Sequence, residues 1–277
     1  MVSGFATGES RPVPGVCLVH ELIRDKALAD PEGLAVDGPL GRLTRGGLEA
    51  RASALGAWLG VQLRGKTEAL VALCLEGPDF VAAWLGILKA GAAVLPLDPS
   101  WPPVQAARIL AETKPVFFFT DRPAPALPPE TTLLDPGSCP VQPFFPPPQD
   151  PEGRGLAYVI ATSGTTGAPK AVAVEHRSLV NLALAQAELY GVDKATRSLL
   201  MVSPAFDVAM GELATVLAAG GTLVLAGREA VVPGRELVEL LASANITHLA
   251  CPPSALAVLD ESAPEALPAL SCLVLGG

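Results

Sequence analysis

The sequence predicts an α/β protein made of two helix-covered β-sheet subdomains. Short runs rich in Val, Leu, Ala and Phe alternate with helical patterns along most of the 277 residues, and a single proline-rich stretch interrupts the alternation. Half of the residues are hydrophobic, which is ample material for one large core or two modest ones.

In the first third, residues 48–63, 79–90 and 104–113 read as helices, and 69–75, 93–97 and 116–120 as strands. Pro102 and Pro103 suit the first turn of the third helix, and Gly91 the end of the second. Strands alternating with helices in this way form a parallel sheet with helical crossovers. Eleven of the 28 prolines then fall between Pro123 and Pro151, where neither a long helix nor a central strand is sustained. Such a stretch can bind SH3-like partners as polyproline II, but Phe144 and Phe145 favour a connector packed on the protein. Alternation resumes with paired strands 156–160 and 171–174. It continues with helices at 178–190, 208–218, 236–243 and 254–259, and strands at 199–202, 222–225, 246–250 and 272–275. The expected organisation is an N-terminal tail (1–15), a first subdomain (16–122), a connector (123–154) and a second subdomain (155–277).

A formal charge of −9 and the lack of any Lys/Arg cluster argue against a nucleic-acid partner. Mean hydropathy is high at +0.42, yet the longest apolar stretch, 213–226, is shorter than a spanning helix and contains Gly220 and Gly221. No membrane segment is expected. The N-terminal MVSGFATGESRP has neither a basic start nor an apolar centre, so no signal peptide is read and the cytoplasm is the expected compartment. Cys17, Cys74, Cys139, Cys251 and Cys272 form no CxxC pair and read as reduced thiols. His20, His176 and His248 lack metal-ligand spacing, so no metal site is assigned.

The most informative segment is ATSGTTGAPK, residues 161–170, set between two strand-like runs. Gly164 and Gly167 let the backbone turn its amides toward an anion. Ser163, Thr165 and Thr166 offer hydroxyls, and Lys170 adds positive charge. It is not a Walker loop, because Lys170 runs into AVAV rather than into Ser or Thr and a helix. A plain Ser/Thr/Gly hairpin turn is the competing reading. Further on, Phe206 and Asp207 precede an apolar helical run, where pattern alone favours a helix cap.

The longer run AYVIATSGTTGAPKAVAVEHRSLVNL resembles, almost position by position, the signature of the adenylate-forming superfamily. Four further regions resemble it in the expected order: residues 19–36 with 43–59, then 87–102, 204–225 and 246–259. Their detail resembles the amino-acid adenylation domains of nonribosomal peptide synthetases, with Arg45 where an aromatic is usual and Ala171 where a glycine is usual. The resemblance implies two facing sheets sandwiched by helices, truncated before the final strands and the small C-terminal domain. It also implies that the adenine-stacking segment and a second lysine follow the run matched by LVLGG, so no catalytic residue is assigned here.

The resemblance further implies that Thr162, Ser163, Gly164, Thr165, Thr166, Gly167 and Lys170 bind the phosphates of ATP, with Mg²⁺ sharing the charge. Asp207, beside Phe206, would pair with a substrate α-ammonium. Val208, Gly211, Ala250, Leu273 and Leu275 would line an apolar side-chain pocket, opened by Gly211, although Leu273 and Leu275 also read as strand core. The activity implied is formation of an aminoacyl-AMP and its transfer to phosphopantetheine on a carrier domain, among neighbouring synthetase domains. An acyl-CoA or aryl-acid ligase, and a non-catalytic fragment that binds a nucleotide or a partner, stand as alternatives.

Overall fold

The computed structural model describes residues 15, 18–63, 66, 68–135, 150, 152–163, 169–256 and 267–276. Cys17, Cys139, most of the N-terminal tail and the centre of the connector lie outside these. The described elements run α1 (Val19–Ala29), β1 (Leu34–Asp37), β2 (Leu43–Thr44), α2 (Arg45–Leu63), β3 (Leu70–Cys74), α3 (Gly77–Lys89), β4 (Ala93–Pro96), α4 (Pro103–Thr113), β5 (Phe117–Thr120) and β6 (Thr132–Leu134). They continue with β7 (Leu156–Ser163), β8 (Pro169–Glu175), α5 (His176–Tyr190), β9 (Arg197–Leu199), α6 (Asp207–Ala219), β10 (Thr222–Val224), α7 (Arg235–Ser243), β11 (His248–Cys251), α8 (Pro253–Leu256) and β12 (Cys272–Leu275).

Two six-stranded sheets result, ordered β6-β5-β3-β4-β7-β8 and β12-β11-β9-β10-β1-β2. The pairs are parallel except at β7–β8 and β1–β2, as helical crossovers require. Strand alternation sends Val71 and Leu73 of β3 into the main core and Ala72 into a smaller one with Ile109 and Leu110 of α4. The main core lies between the sheets and contains α2, α3, α5 and α6, while Leu237 and Leu241 of α7 cover the far face of the second sheet. The order is therefore helix, sheet, helices, sheet, helix. The expected outer helices are present, and a shared helical layer also fills the space between the sheets.

That layer explains why α3 and α6 are apolar almost all round: both are enclosed on every side. Trp84 of α3 is fully buried there, and a side chain of this kind stabilises the fold by roughly 1.5–3 kcal/mol. Arg45, the departure from the aromatic of the family pattern, is also buried, with hydrogen bonds to Asp30 and to the carbonyl of Gly220. Gly220 caps α6 in the left-handed region at φ +83°. The arginine thus ties the C-terminal end of α6 to the segment before α2.

The strand order departs from the expected partition in two places. The hairpin β7–β8, expected in the second subdomain, joins the first sheet through Val94 opposite Tyr158. Conversely β1 joins the second sheet, with Val36 opposite Leu223 and Asp37 opposite Val224. Both segments carry apolar residues on two faces, so either interior accepts them. The connector also contributes a strand, β6, paired to β5 at the sheet edge, the place where neighbouring prolines are tolerated.

Candidate functional site

The segment 161–170 includes the end of β7 and the start of β8. Register pairs Thr162 with Lys170 and Ser163 with Pro169. Gly164, Thr165, Thr166 and Gly167 lie outside the described residues. Thr162 and Ser163 end β7, and Lys170 stands near the start of β8 with its side chain exposed.

Helix α6 begins at Asp207. Phe206, not Asp207, is the N-cap residue and is 55% exposed. Asp207 opens the helix, and its Oδ1 accepts the Val208 N–H at 2.9 Å. The carboxylate is therefore exposed at the helix start rather than spent as a cap for a later amide, and a helix N-terminus favours that charge. Its field reaches β7: burial pushes the Tyr158 phenol up, and the Asp207 charge pushes it further. The strand leading into the glycine loop and the start of α6 thus share one electrostatic environment.

Beneath Val208 lies a cavity of about 70 Å³ between α6, α5 and the inner face of the second sheet. Val208 and Ala250 line it. Gly211 does not open it, because a Cβ there would meet Leu182 Cδ2 at 3.1 Å, so α5 already occupies that space. Nor do Leu273 and Leu275 reach it. Ala250 pairs with Val274 and Leu249 with Leu273, so alternation puts Val274 on the cavity side and Leu273 and Leu275 on the opposite face.

The wall is also less apolar than expected, since Ser198, Glu212, Thr215 and His248 contribute to it. Glu212 is buried, its Oε1 accepting the Ser198 hydroxyl at 2.6 Å. Burial pushes its carboxyl up to about 7, against the Ser198 hydrogen bond. Sequence reasoning missed this residue; a lone acid in the apolar run VAMGELATVL, residues 208–217, is the signal that marks it.

A larger cavity, of about 540 Å³, opens where the carboxyl ends of β3, β4, β9 and β10 converge, the place where open α/β sheets hold ligands. Phe206 lines it, with Asp98, Ser203 and Arg228. Asp98 accepts the Ser100 N–H and hydroxyl at 2.8 Å each, the Ser203 hydroxyl, and the Arg228 guanidinium. Burial alone would raise its carboxyl; the hydrogen bonds from Ser203 and Ser100 and the Arg228 charge outweigh that and hold it below the ordinary carboxylate value. Asp98 thereby joins the end of β4 to the loops after β9 and β10.

Among the described residues no group of three or more His, Cys, Asp or Glu is placed to hold a metal ion. Cys74, Cys251 and Cys272 are free thiols, and burial pushes Cys74 up to about 11. No helix of the described residues is long and apolar enough to cross a membrane.

Comparison with known proteins decides the family. The family described as AMP-binding enzyme matches residues 23–277. The chain belongs to the AMP-binding enzyme family.

Among relatives of this AMP-binding chain, a linear gramicidin synthase polypeptide of Brevibacillus parabrevis is 34% identical over 282 residues, covering 100% of the chain and 5% of the relative. Phosphinothricin tripeptide synthetase PhsC of Streptomyces viridochromogenes is 35% identical over 275 residues, covering 94% of the chain and 24% of the relative. The AMP-binding chain therefore spans a small part of the curated relatives it matches. Among solved structures, the nonribosomal peptide synthetase FmoA3 in its α-methyl-L-serine-AMP bound form superposes with a TM-score of 0.82 at 28% identity, covering 97% of this chain and 31% of that one. The N-terminal subdomain of Klebsiella oxytoca NpsA, in complex with 3-hydroxybenzoyl-AMSN, superposes with a TM-score of 0.77 at 22% identity, covering 94% and 66%. At that identity the likeness is one of fold.

Proposed function

We propose that the chain is the N-terminal part of an amino-acid adenylation domain, which activates its substrate as an aminoacyl-AMP in nonribosomal peptide synthesis. The observation that carries this reading is the exposed carboxylate of Asp207 at the start of α6, next to Val208 of the cavity wall and with its charge acting on Tyr158 of β7. The peptide synthetase relatives support it.

In the proposed reaction a carboxylate oxygen of the amino acid attacks the α-phosphorus of ATP and pyrophosphate leaves. Two anions must meet, so the protein has to hold the outgoing phosphates and fix the acid in place. Thr162, Ser163, Gly164, Thr165, Thr166, Gly167 and Lys170 take the phosphates, and Mg²⁺ arrives as part of the ATP substrate. Asp207 pairs with the α-ammonium, which orients the carboxylate toward the loop. Val208 and Ala250 bound the space for the side chain. The product passes to the phosphopantetheine thiol of a carrier domain within a cytoplasmic synthetase.

Substrate-dependent pyrophosphate exchange tests the reading in a complete adenylation domain that carries these residues. Amino acids should support exchange and their desamino analogues should not. Asp207→Ala should raise KM for the amino acid by roughly tenfold or more while leaving that for ATP within about threefold, as loss of a charge-assisted hydrogen bond requires. Equal use of desamino acids, or an Asp207→Ala enzyme with unchanged KM, refutes it.

A further inference from the structure

The N-cap residue of α6, Phe206, makes no side-chain cap hydrogen bond, because an aromatic hydrocarbon has no acceptor to offer. The start of the helix is fixed from the turn before it. The Ser203 carbonyl accepts the Phe206 N–H at 3.0 Å, and the Ser203 hydroxyl oxygen accepts the Ala205 N–H at 3.3 Å. Pro204 restricts the backbone between them. Wherever Ser203 is held, Asp207 follows four residues later.

Ser203 is held by the other sheet. Its hydroxyl donates to Oδ2 of Asp98, two residues beyond the end of β4. Asp98 is buried and itself fixed: the Ser100 N–H and hydroxyl donate to Oδ1, and the Arg228 guanidinium reaches both oxygens. β4 lies beside β7, the strand that leads into the glycine loop, with Val94 opposite Tyr158. The Asp207 charge acts on that same Tyr158. The contacts close a circuit from Asp98 through Ser203, the turn, Asp207 and Tyr158 back to β4.

The proposed reaction gives this circuit a task. Its two grips belong to different sheets: the hairpin β7–β8 to the first, and Asp207, which follows β9, to the second. In-line attack tolerates little error in the spacing of the groups that hold the two reactants, and a misplacement of about 1 Å can cost roughly a hundredfold in rate. A charge-assisted hydrogen bond across the sheets, on a carboxylate that is already fixed, is suited to keep that spacing.

We propose that Asp98 is a positioning residue which, through the Ser203 hydroxyl, holds the turn 203–206 and hence the Asp207 carboxylate in place relative to the glycine-loop strand. This rests on the adenylation reading above and deepens it. Asp98 acts through Ser203 and Asp207, not on a substrate.

Pyrophosphate exchange in the complete adenylation domain tests the proposal with Ser203→Ala and Asp98→Asn, each alone, together, and combined with Asp207→Ala. Ser203→Ala removes a single hydroxyl. In Asp98→Asn the Ser100 N–H, which can only donate, keeps the remaining oxygen, so the amide nitrogen faces Ser203 and cannot accept from it. Each variant should raise KM for the amino acid by about fivefold or more while leaving that for ATP within about twofold. The two together should do no more than the larger single change, and neither should add to the effect of Asp207→Ala, because residues that act through one another are not additive. A merely structural role would lower stability without this split and without dependence on Asp207. An unchanged KM for the amino acid in Ser203→Ala, an equal rise for both substrates, or effects that add to one another or to that of Asp207→Ala overturn the proposal and leave the adenylation reading standing. The Ser203→Ala comparison needs no change at Asp98, so an Asp98→Asn protein that fails to fold does not shelter the idea. An Asp207→Ala enzyme with unchanged KM for the amino acid is the distinct signature of failure of the adenylation reading, and the proposal falls with it.

Discussion

Acid should loosen the contact between α1 and α5 through two histidines. His20 and His176 are both 4% exposed, with ring centroids 5.5 Å apart in an edge-on arrangement. Among the described residues neither nitrogen of His20 has a hydrogen-bond partner, nor does Nδ1 of His176. Burial pushes His176 down to about 4, partly opposed by Asp150. Burial, then the charges of His176, Lys89 and Arg24, push His20 down to about 3. Both rings are therefore neutral in the folded protein at pH 6, while the unfolded chain has begun to bind protons at the ordinary value of 6.5.

Stability should be fully present above about pH 6.5 and fall as the pH drops toward 4, because the unfolded state gains protons first. For His176 the gap between 6.5 and about 4, at about 1.36 kcal/mol per unit, amounts to roughly 3 kcal/mol. His20 adds at most a similar amount over that range, because part of its shift requires a charged His176. The assay is urea unfolding at several values between pH 7.5 and 4.5 for the unmodified protein and for His20→Phe/His176→Phe. Glu212, pushed up to about 7, works in the other sense, losing stability as pH rises. It is common to both proteins and cancels in the difference. The variant should match or exceed the unmodified protein at pH 7.5, since it removes unpaired buried nitrogens. It should also lose stability less steeply, by up to about 2.7 kcal/mol per pH unit, corresponding to two protons. Parallel acid slopes in the two proteins would refute the reasoning.

Two further outcomes are expected. A Cβ on Gly86 would lie 2.9 Å from Leu55 Cβ and 3.0 Å from the Ala52 carbonyl, so Gly86→Ala should destabilise the α2–α3 crossing by roughly 1–3 kcal/mol in thermal or urea unfolding; a neutral result would mean that the helices are not so close. In the complete adenylation domain, Lys170→Ala should raise KM for ATP by roughly 10–100-fold, as loss of a charge-assisted phosphate contact does. Its circular dichroism should be unchanged, and an unaltered KM would remove Lys170 from the phosphate grip.

Much of the architecture was legible because α/β alternation is written in the periodicity of the chain, and prolines and glycines mark where helices begin and end. Which sheet a strand joins was not. β1 and β7 are apolar on both faces, so nothing local says that Val36 will lie beside Leu223, or Tyr158 beside Val94. The same limit hid the side of β12 that faces the cavity, because Leu273, Val274 and Leu275 are all aliphatic and alternation cannot be read from them. The glycine loop and Asp207 were visible because glycines, hydroxyls and charges are out of place in an apolar chain. Glu212 was missed because a single acid within a helix shows its surroundings only once the helix is packed.

The strand order has a consequence for how the molecule comes into being. Residues before the proline-rich connector supply three strands of the first sheet and two of the second, the connector itself adds β6 to the first, and residues after it supply the remaining two and four. The halves are interlocked. Cutting the chain within the connector would leave each fragment with exposed sheet edges that only the other can cover, so the fragments would be expected to reassociate rather than fold singly. During synthesis β1 must likewise wait for β10, nearly two hundred residues later, before its own sheet can close.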